Sequence, residues 1–396
     1  MFDGRLKILV WQWGRRGGGP QFGVEVARAL AARADSRVYL SLSQQAEVLR
    51  RMDPELRLAT YPVNTYRGAP SAIRKLFTLP SLARDVRTIV EEHRPDIAIC
   101  AMPALLDVAM ISVLEELEIP FVAIIHDAIL HPGDGYWPQL LLQDRLARAA
   151  NGLIALSEHV ATNLRFRFGA DKPIEVIYHA PFTFGRVGSE PAKYPKGRNF
   201  RLLFFGRLLR YKGLDLLADA MLLLQNKVNV ELAIHGAGTI DRRTRERLSR
   251  IRNLSLDVGW VPEDRIPDLI LSADALVAPY REASQSGVVP IAYAFGRPVV
   301  ATPVGGLSEQ VIHEETGLLA PAVTASALAS TLERLITEEP LYTHCAEAAL
   351  RHATQRLSWE NLASTIFRYC ASLVEDGAAS RFKHREPSPG PAFGAR

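Results

Sequence analysis

The sequence predicts an α/β protein of two successive domains, each a parallel sheet covered by helices. Three observations predict it. Short apolar runs alternate with helix-length amphipathic segments along almost the whole chain. The runs are apolar at consecutive positions, so both faces of each strand are buried, as in a parallel sheet. The alternation breaks once, over residues 185–200, and then starts again.

The elements follow in order. "LKILVWQW" reads as a first strand, and "FGVEVARALAAR" as a helix with Val24, Ala27, Leu30 and Ala31 on one face. "VYLSL", "DIAICA", "PFVAIIH" and "GLIAL" read as further strands. Segments such as "LARDVRTIVEEH" and "AMISVLEELE" are the helices between them. "GRVGSEPAKYPKGRNF" has three glycines, two prolines and few apolar residues, which makes it the linker. The second domain then runs "RLLFFG", "VELAIHG", "LSLDVG", "DALVAPY", "PVVAT" and "GLLAP". "LSWENLASTIFRYCASL" is a closing helix with Trp359, Leu362, Ile366 and Tyr369 able to share a face. Past Asp376 the chain is polar and rich in Pro and Gly, a disordered basic tail. The expected divisions are 1–185, a linker 186–200, 201–355, a crossing helix 356–376 and the tail 377–396.

Composition excludes several classes. The 396 residues are 48% hydrophobic and 23% charged, as in an ordinary globular enzyme, and a net charge of +4 is too small to argue for nucleic acid. Cys100, Cys345 and Cys370 are scattered without C-x-x-C spacing, so neither a disulfide framework nor a structural zinc site is expected. No apolar run reaches the roughly 18 residues of a membrane span. The N-terminus places its charges after its apolar run, the wrong order for a signal peptide. A cytoplasmic protein is expected.

Chemistry is expected at strand ends, where glycine corners open helices. "WGRRGGGPQFGVEV" presents backbone N–H groups and a helix dipole around Gly17, Gly18 and Gly19, which suits an anion. The alternative is a tight turn without a ligand. Phe22 stands where a dinucleotide fingerprint needs glycine, and the second strand ends without an acid, which disfavours a nicotinamide cofactor. In "FFGRLLRYKGLDLL", Arg207 and Lys212 bracket the loop after a strand, a pairing that suits a diphosphate. The alternative is two solvated surface cations. "AIHGAGTI" ends a strand at Gly236 and Gly238. His126 and Asp127 close another strand, where a histidine is either structural or turned to a cleft. In "PYREASQSGVVPIAYAFG" a polar corner runs straight into an apolar helix. It aims the N–H groups near Ser286, Gly287 and Val288 at the crevice of Arg207 and Lys212.

"GRLLRYKGLDLL", "IHGAGTI", "VGWVPEDRIPDLILSADALVAPY" and "AYAFGRPVVATPVGGLSEQVIHEETGLL" together resemble the retaining glycosyltransferases of family four. The resemblance is dense over 200–375. It is thinner before 185, where "IIHDAI", "ALSEHVATNL" and "VIYHAPF" carry it. It implies the GT-B architecture: two Rossmann-like domains facing across a cleft. It implies a nucleotide-sugar donor as substrate and no cofactor, and the lack of a D-x-D at a strand end fits a reaction without a metal. It places Arg207 and Lys212 on the donor diphosphate, Gly236 and Gly238 near the nucleotide, and Val261 and Pro262 where backbone meets the base. His126 would face the donor sugar, and the corner at Gly18 and Gly19 would approach phosphate and acceptor. One departure stands out. The family's two glutamates, spaced E-x7-E, fall on Ala283 and Ile291, with Glu282 one residue early as the candidate for the first. Ser284, Gln285 and Ser286 offer other polar groups.

The implied reaction is transfer of a sugar, with retention, to a glycan or lipid-linked acceptor in bacterial surface polysaccharide synthesis. Two rivals are a GT-B sugar-nucleotide epimerase and a non-catalytic glycosyltransferase-like partner subunit. Residues 64–90 carry Arg67, Arg74, Lys75, Arg84 and Arg87 among Ile73, Leu76, Phe77, Leu79 and Leu82. That pattern suits peripheral contact with an anionic inner membrane, or else a helix pair packing on the N-terminal sheet with a solvated basic face.

Overall fold

The computed structural model describes residues 4–383, apart from 53, 69, 70, 72–74, 76, 130–136, 183 and 187. The N-terminal sheet contains β1 (Leu6–Gln12), β2 (Ser36–Ser43), β3 (Thr60–Val63), β4 (Ile97–Cys100), β5 (Phe121–Ile125), β6 (Gly152–Ala155) and β7 (Ile174–Val176). Its order is β3-β2-β1-β4-β5-β6-β7. The C-terminal sheet contains β8 (Phe200–Phe205), β9 (Val230–Gly236), β10 (Leu254–Val258), β11 (Ala275–Ala278), β12 (Val299–Ala301) and β13 (Gly317–Leu319), in the order β10-β9-β8-β11-β12-β13. All pairings are parallel.

The continuous apolar runs are buried on both faces. Every residue of β4, β5, β6 and β11 is buried. At about 25 cal/mol per Å² of apolar surface, such central strands are the main source of stability. In each sheet the strand order reverses once, between β1 and β4 and between β8 and β11. The loops leaving these pairs diverge and open a crevice at the carboxyl ends of the strands.

The linker belongs to the C-terminal domain. Gly188 N–H donates to Ala294 O at 2.9 Å, and Ala192 N–H to Gly296 O at 3.1 Å. Arg198 forks onto Asp274 at 2.6 and 2.7 Å, and Asp274 also accepts from Arg201 N–H. From Gly188 onward the expected linker is therefore tied to the second domain. The closing helix runs Trp359–Lys383, seven residues past the expected end at Asp376. Ala378, Ala379 and Arg381 favour helix, and the one interruption, Gly377, costs only about 1 kcal/mol. The helix crosses back onto the first domain, where Trp359 Nε1 donates to Pro181 O at 2.9 Å and Arg33 stacks 4.3 Å over Phe367. The three cysteines are buried and unbridged.

Candidate functional site

The site begins at the β8/β11 switch point. Arg207 follows β8 on the surface, and Lys212 is half-buried in the next turn. Gly213, at φ 69°, lies so close to β11 that a Cβ there would sit 1.8 Å from Pro279 O. This close approach needs glycine. It brings Lys212 Nζ 3.9 Å over the centre of the Tyr280 ring, whose π face attracts the ammonium. Gly236 is equally tight: its Cβ would fall 1.6 Å from Gly206 O. Gly238 pairs with Leu208, so the ends of β8 and β9 are locked together.

The corner after β11 is more ordered than its composition suggests. Ser286 is buried, and its hydroxyl meets the Tyr280 hydroxyl at 3.1 Å. Its N–H donates to Gln310 Oε1 at 2.7 Å, and its carbonyl accepts from Gln310 Nε2 at 3.1 Å. The Ser286 N–H thus points inward, which corrects the expectation that it faces the crevice. Gly287 keeps open space beside it, since a Cβ there meets nothing within 4 Å, and Val288 packs 3.6 Å from the Cβ position of Gly206. Ala283 and Ile291 are buried in the core, and Glu282 is on the surface.

Across the cleft, Gly17 caps the helix Gly18–Ala31 at φ 80°. A Cβ on Gly17 would lie 4.0 Å from Trp260, the residue before Val261 and Pro262. Arg51 of the first domain pairs with Glu263 of the second at 3.3 Å. Gly18 lies beside Phe182, and Gly19 is closed in by Met102 and Gln12.

His126 follows β5 and is buried, its ring edge-on to Phe22 at 5.1 Å. Burial lowers its pKa to about 4, against a smaller opposing pull from Asp127, so it is neutral near pH 7. Its Nε2 is buried without a hydrogen-bond partner. A buried ring nitrogen without a partner is an exception to the usual satisfaction of buried polar atoms. His179, 6.4 Å from His126 between ring centres, is lowered to about 3 by burial and by His126.

Several contacts were not anticipated. Ser157 caps the helix Glu158–Phe168 and donates to Ser284 O of the other domain at 2.8 Å. Both oxygens of Glu309 accept from that helix's first N–H groups, Glu158 and His159, at 2.7 Å each. The helix N-terminus favours a carboxylate there. A cavity of about 550 Å³ adjoins this joint, lined by His179, Tyr293, Glu309, His352 and Arg356 among others. Arg207 and Lys212 do not line it, but Gln310, which holds Ser286 of the β11 corner, does. Among the described residues no three His, Cys, Asp or Glu side chains gather as a metal-binding set, and no helix is long and apolar enough to cross a membrane.

The basic segment is only partly described. Ile73, Arg74 and Leu76 lie outside the described residues. Phe77 is 83% exposed, but Leu82 is buried against the sheet. Arg87 pairs with Glu91 and Glu116, so part of the expected positive face is neutralised.

Two parallel α/β domains with their switch points turned to one cleft define the GT-B class. Comparison with known proteins agrees. The family model described as "Glycosyltransferase Family 4" matches residues 16–180, and that described as "Glycosyl transferases group 1" matches 199–338. This chain belongs to the family-four, group 1 glycosyltransferases. It is 32% identical over 250 residues to a D-inositol 3-phosphate glycosyltransferase of Arthrobacter, 58% of each chain. The matched stretch is thus under two thirds of that relative's length. An uncharacterized glycosyltransferase of Methanocaldococcus jannaschii is 29% identical over 165 residues, 41% of this chain and 42% of its own. Among solved structures, HepE of Anabaena in complex with UDP and glucose aligns with a TM-score of 0.71 at 21% identity, covering 93% of this chain and all of that one. A sucrose-phosphate synthase from Thermosynechococcus elongatus aligns with a TM-score of 0.71 at 19% identity, covering 94% of this chain and all of that one.

Proposed function

We propose that this chain transfers a hexosyl group from a nucleoside diphosphate sugar to an acceptor hydroxyl, retaining the anomeric configuration. The observation that carries the reading is Lys212, held over Tyr280 in the turn after β8, with Arg207 exposed at the start of the same loop. As the bond from the sugar C1 to the diphosphate breaks, charge collects on the leaving oxygens. Lys212 and Arg207 stabilise that charge, and they need no resident metal to do so. The acceptor oxygen bonds to C1, and its proton passes to the departing diphosphate. His126 Nε2 accepts from a sugar hydroxyl and orients the ring. Closure of the two domains excludes water and strengthens these contacts.

The names of the relatives, a D-inositol 3-phosphate glycosyltransferase and HepE with UDP-glucose, support a nucleotide-sugar donor. The acceptor is a glycan or lipid-linked glycan of a bacterial surface polysaccharide, and the enzyme works in the cytoplasm. Peripheral attachment through Arg67, Lys75, Arg84 and the exposed Phe77 would be weak, near 1 kcal/mol per cation at an anionic surface. Glu282 remains the candidate for a sugar contact at the β11 corner. The deciding experiment incubates the protein with a panel of nucleotide sugars and follows release of nucleoside diphosphate. Slow hydrolysis of one donor is the expected result. Conversion between sugars without release would favour an epimerase, and no turnover of any donor would favour a non-catalytic subunit.

A further inference from the structure

We infer that Gln310 is a positioning residue for the donor site, acting on Lys212 through a buried relay. The inference rests on the reading of Lys212 as a diphosphate contact. Gln310 grips both backbone groups of Ser286, at 2.7 Å and 3.1 Å. The Ser286 hydroxyl reaches the Tyr280 hydroxyl at 3.1 Å, and the Tyr280 ring carries the Lys212 ammonium at 3.9 Å. Gln310, Ser286 and Tyr280 are 9%, 2% and 2% exposed. Gln310 also lines the cavity at the domain joint, but Ser286 and Tyr280 do not, so their hydroxyl contact is shielded from water and costly to break.

Each end of the relay is anchored. Gln310 sits at the end of the short helix Leu307–Gln310, and its carbonyl accepts from Tyr293 Oη at 3.1 Å. The Tyr280 carbonyl accepts from Thr302 Oγ1, and Arg281 N–H donates to Tyr211 O at 2.7 Å. The one mobile member is the flexible stem of Lys212. Four torsions separate its ammonium from the backbone, and the Tyr280 ring at 3.9 Å, with Tyr211 farther off at 5.2 Å, selects among their states. A side chain that fixes Tyr280 therefore fixes where the cation stands. Glu309, the neighbour of Gln310, caps the acceptor-domain helix. The same short helix thus touches both the cross-domain joint and the donor corner.

The test is a double-mutant cycle with Gln310→Met and Lys212→Met, read as affinity for UDP, GDP, ADP and TDP, each against its free nucleoside. Gln310→Met should weaken diphosphate binding about tenfold in the wild-type background and under twofold in the Lys212→Met background. Nucleoside affinity should not change. Equal losses in both backgrounds, or weaker nucleoside binding by the same factor, would mean a structural role only and overturn the inference. No loss in a folded Gln310→Met also overturns it. If thermal melts show that this variant does not fold, Tyr280→Phe takes its place in the cycle. It keeps the ring and the Gln310 grip and removes only the hydroxyl link, with the same expected coupling. A wild type that binds none of the four diphosphates sinks the donor reading itself, and this inference with it. Wild-type binding with additive losses sinks the inference alone.

Discussion

Lys212→Met separates a catalytic role from a structural one, because the structure assigns the two costs different sizes. Lys212 is half-buried, and its described attraction is to the faces of Tyr280 at 3.9 Å and Tyr211 at 5.2 Å. A partly solvated cation–π contact contributes about 0.5–1 kcal/mol, and methionine keeps most of the apolar stem. In a chain of 396 residues that lowers Tm by only a few degrees. Removing a charge-assisted donor from the leaving group costs on the order of 2–4 kcal/mol of transition-state stabilisation, roughly 30- to 1,000-fold in rate. The assay is steady-state transfer or donor hydrolysis, with a melt on the same preparation. The expected result is a Tm within a few degrees of wild type and kcat lower by at least thirtyfold. Lys212→Arg should recover part of the rate. A folded Lys212→Met within threefold of wild type would refute the argument that this cation stabilises the leaving diphosphate.

Gly213→Ala should do worse than Lys212→Met, because its Cβ would meet Pro279 O at 1.8 Å and φ is 69°; a melt should fall by several degrees and activity with it, and an unchanged melt would contradict the close approach of the β8 and β11 loops. Acid should act through His126, whose folded pKa of about 4 lies below its unfolded 6.5. Its neutral form is fully favoured above pH 6.5, and stability is lost as pH falls from there towards 4, by roughly 2–3 kcal/mol at pH 4.5. Asp107, pushed up to about 7 by burial, works in the opposite direction. The readout is therefore the stability difference between wild type and His126→Asn, which should shift in favour of the variant between pH 7 and 4.5; a constant difference would show that His126 titrates normally. Saturating chelator should leave transfer unchanged, and loss restored by magnesium or manganese would show that Arg207 and Lys212 do not suffice.

The strands of both domain centres were legible because their apolar runs are long and buried on both faces. β3 and β7 were not. Thr60–Val63 is a half-buried edge strand containing Pro62, and Ile174–Val176 has three residues at the other edge. Neither carries a periodicity that separates it from a loop. Strand-end glycines and cations at Gly206–Lys212 and Gly236 could be read because the turn chemistry is local. The grip of Gln310 on Ser286 and the caps of Glu309 on Glu158 and His159 could not. They join positions 24, 151 and 150 residues apart, and no spacing encodes such contacts. The "ALSEHVATNL" segment did hold one usable signal, an N-cap serine at Ser157. Its second bond to Ser284 appears only when the domains meet. The tail was expected past Asp376 because the whole stretch 377–396 is polar and rich in Pro and Gly, whereas the helix continues to Lys383.

The central claim is that the chain moves a sugar from a nucleoside diphosphate and keeps its anomeric configuration. Proton NMR of a reaction in progress tests both halves at once, using the donor that the hydrolysis panel selects and a simple hydroxyl acceptor. The account predicts that nucleoside diphosphate and a new glycoside appear together, with the first-formed anomeric signal showing the same H1–H2 coupling class as the donor. A product of opposite anomeric configuration would contradict retention, and no diphosphate release from any donor would contradict the transferase reading itself.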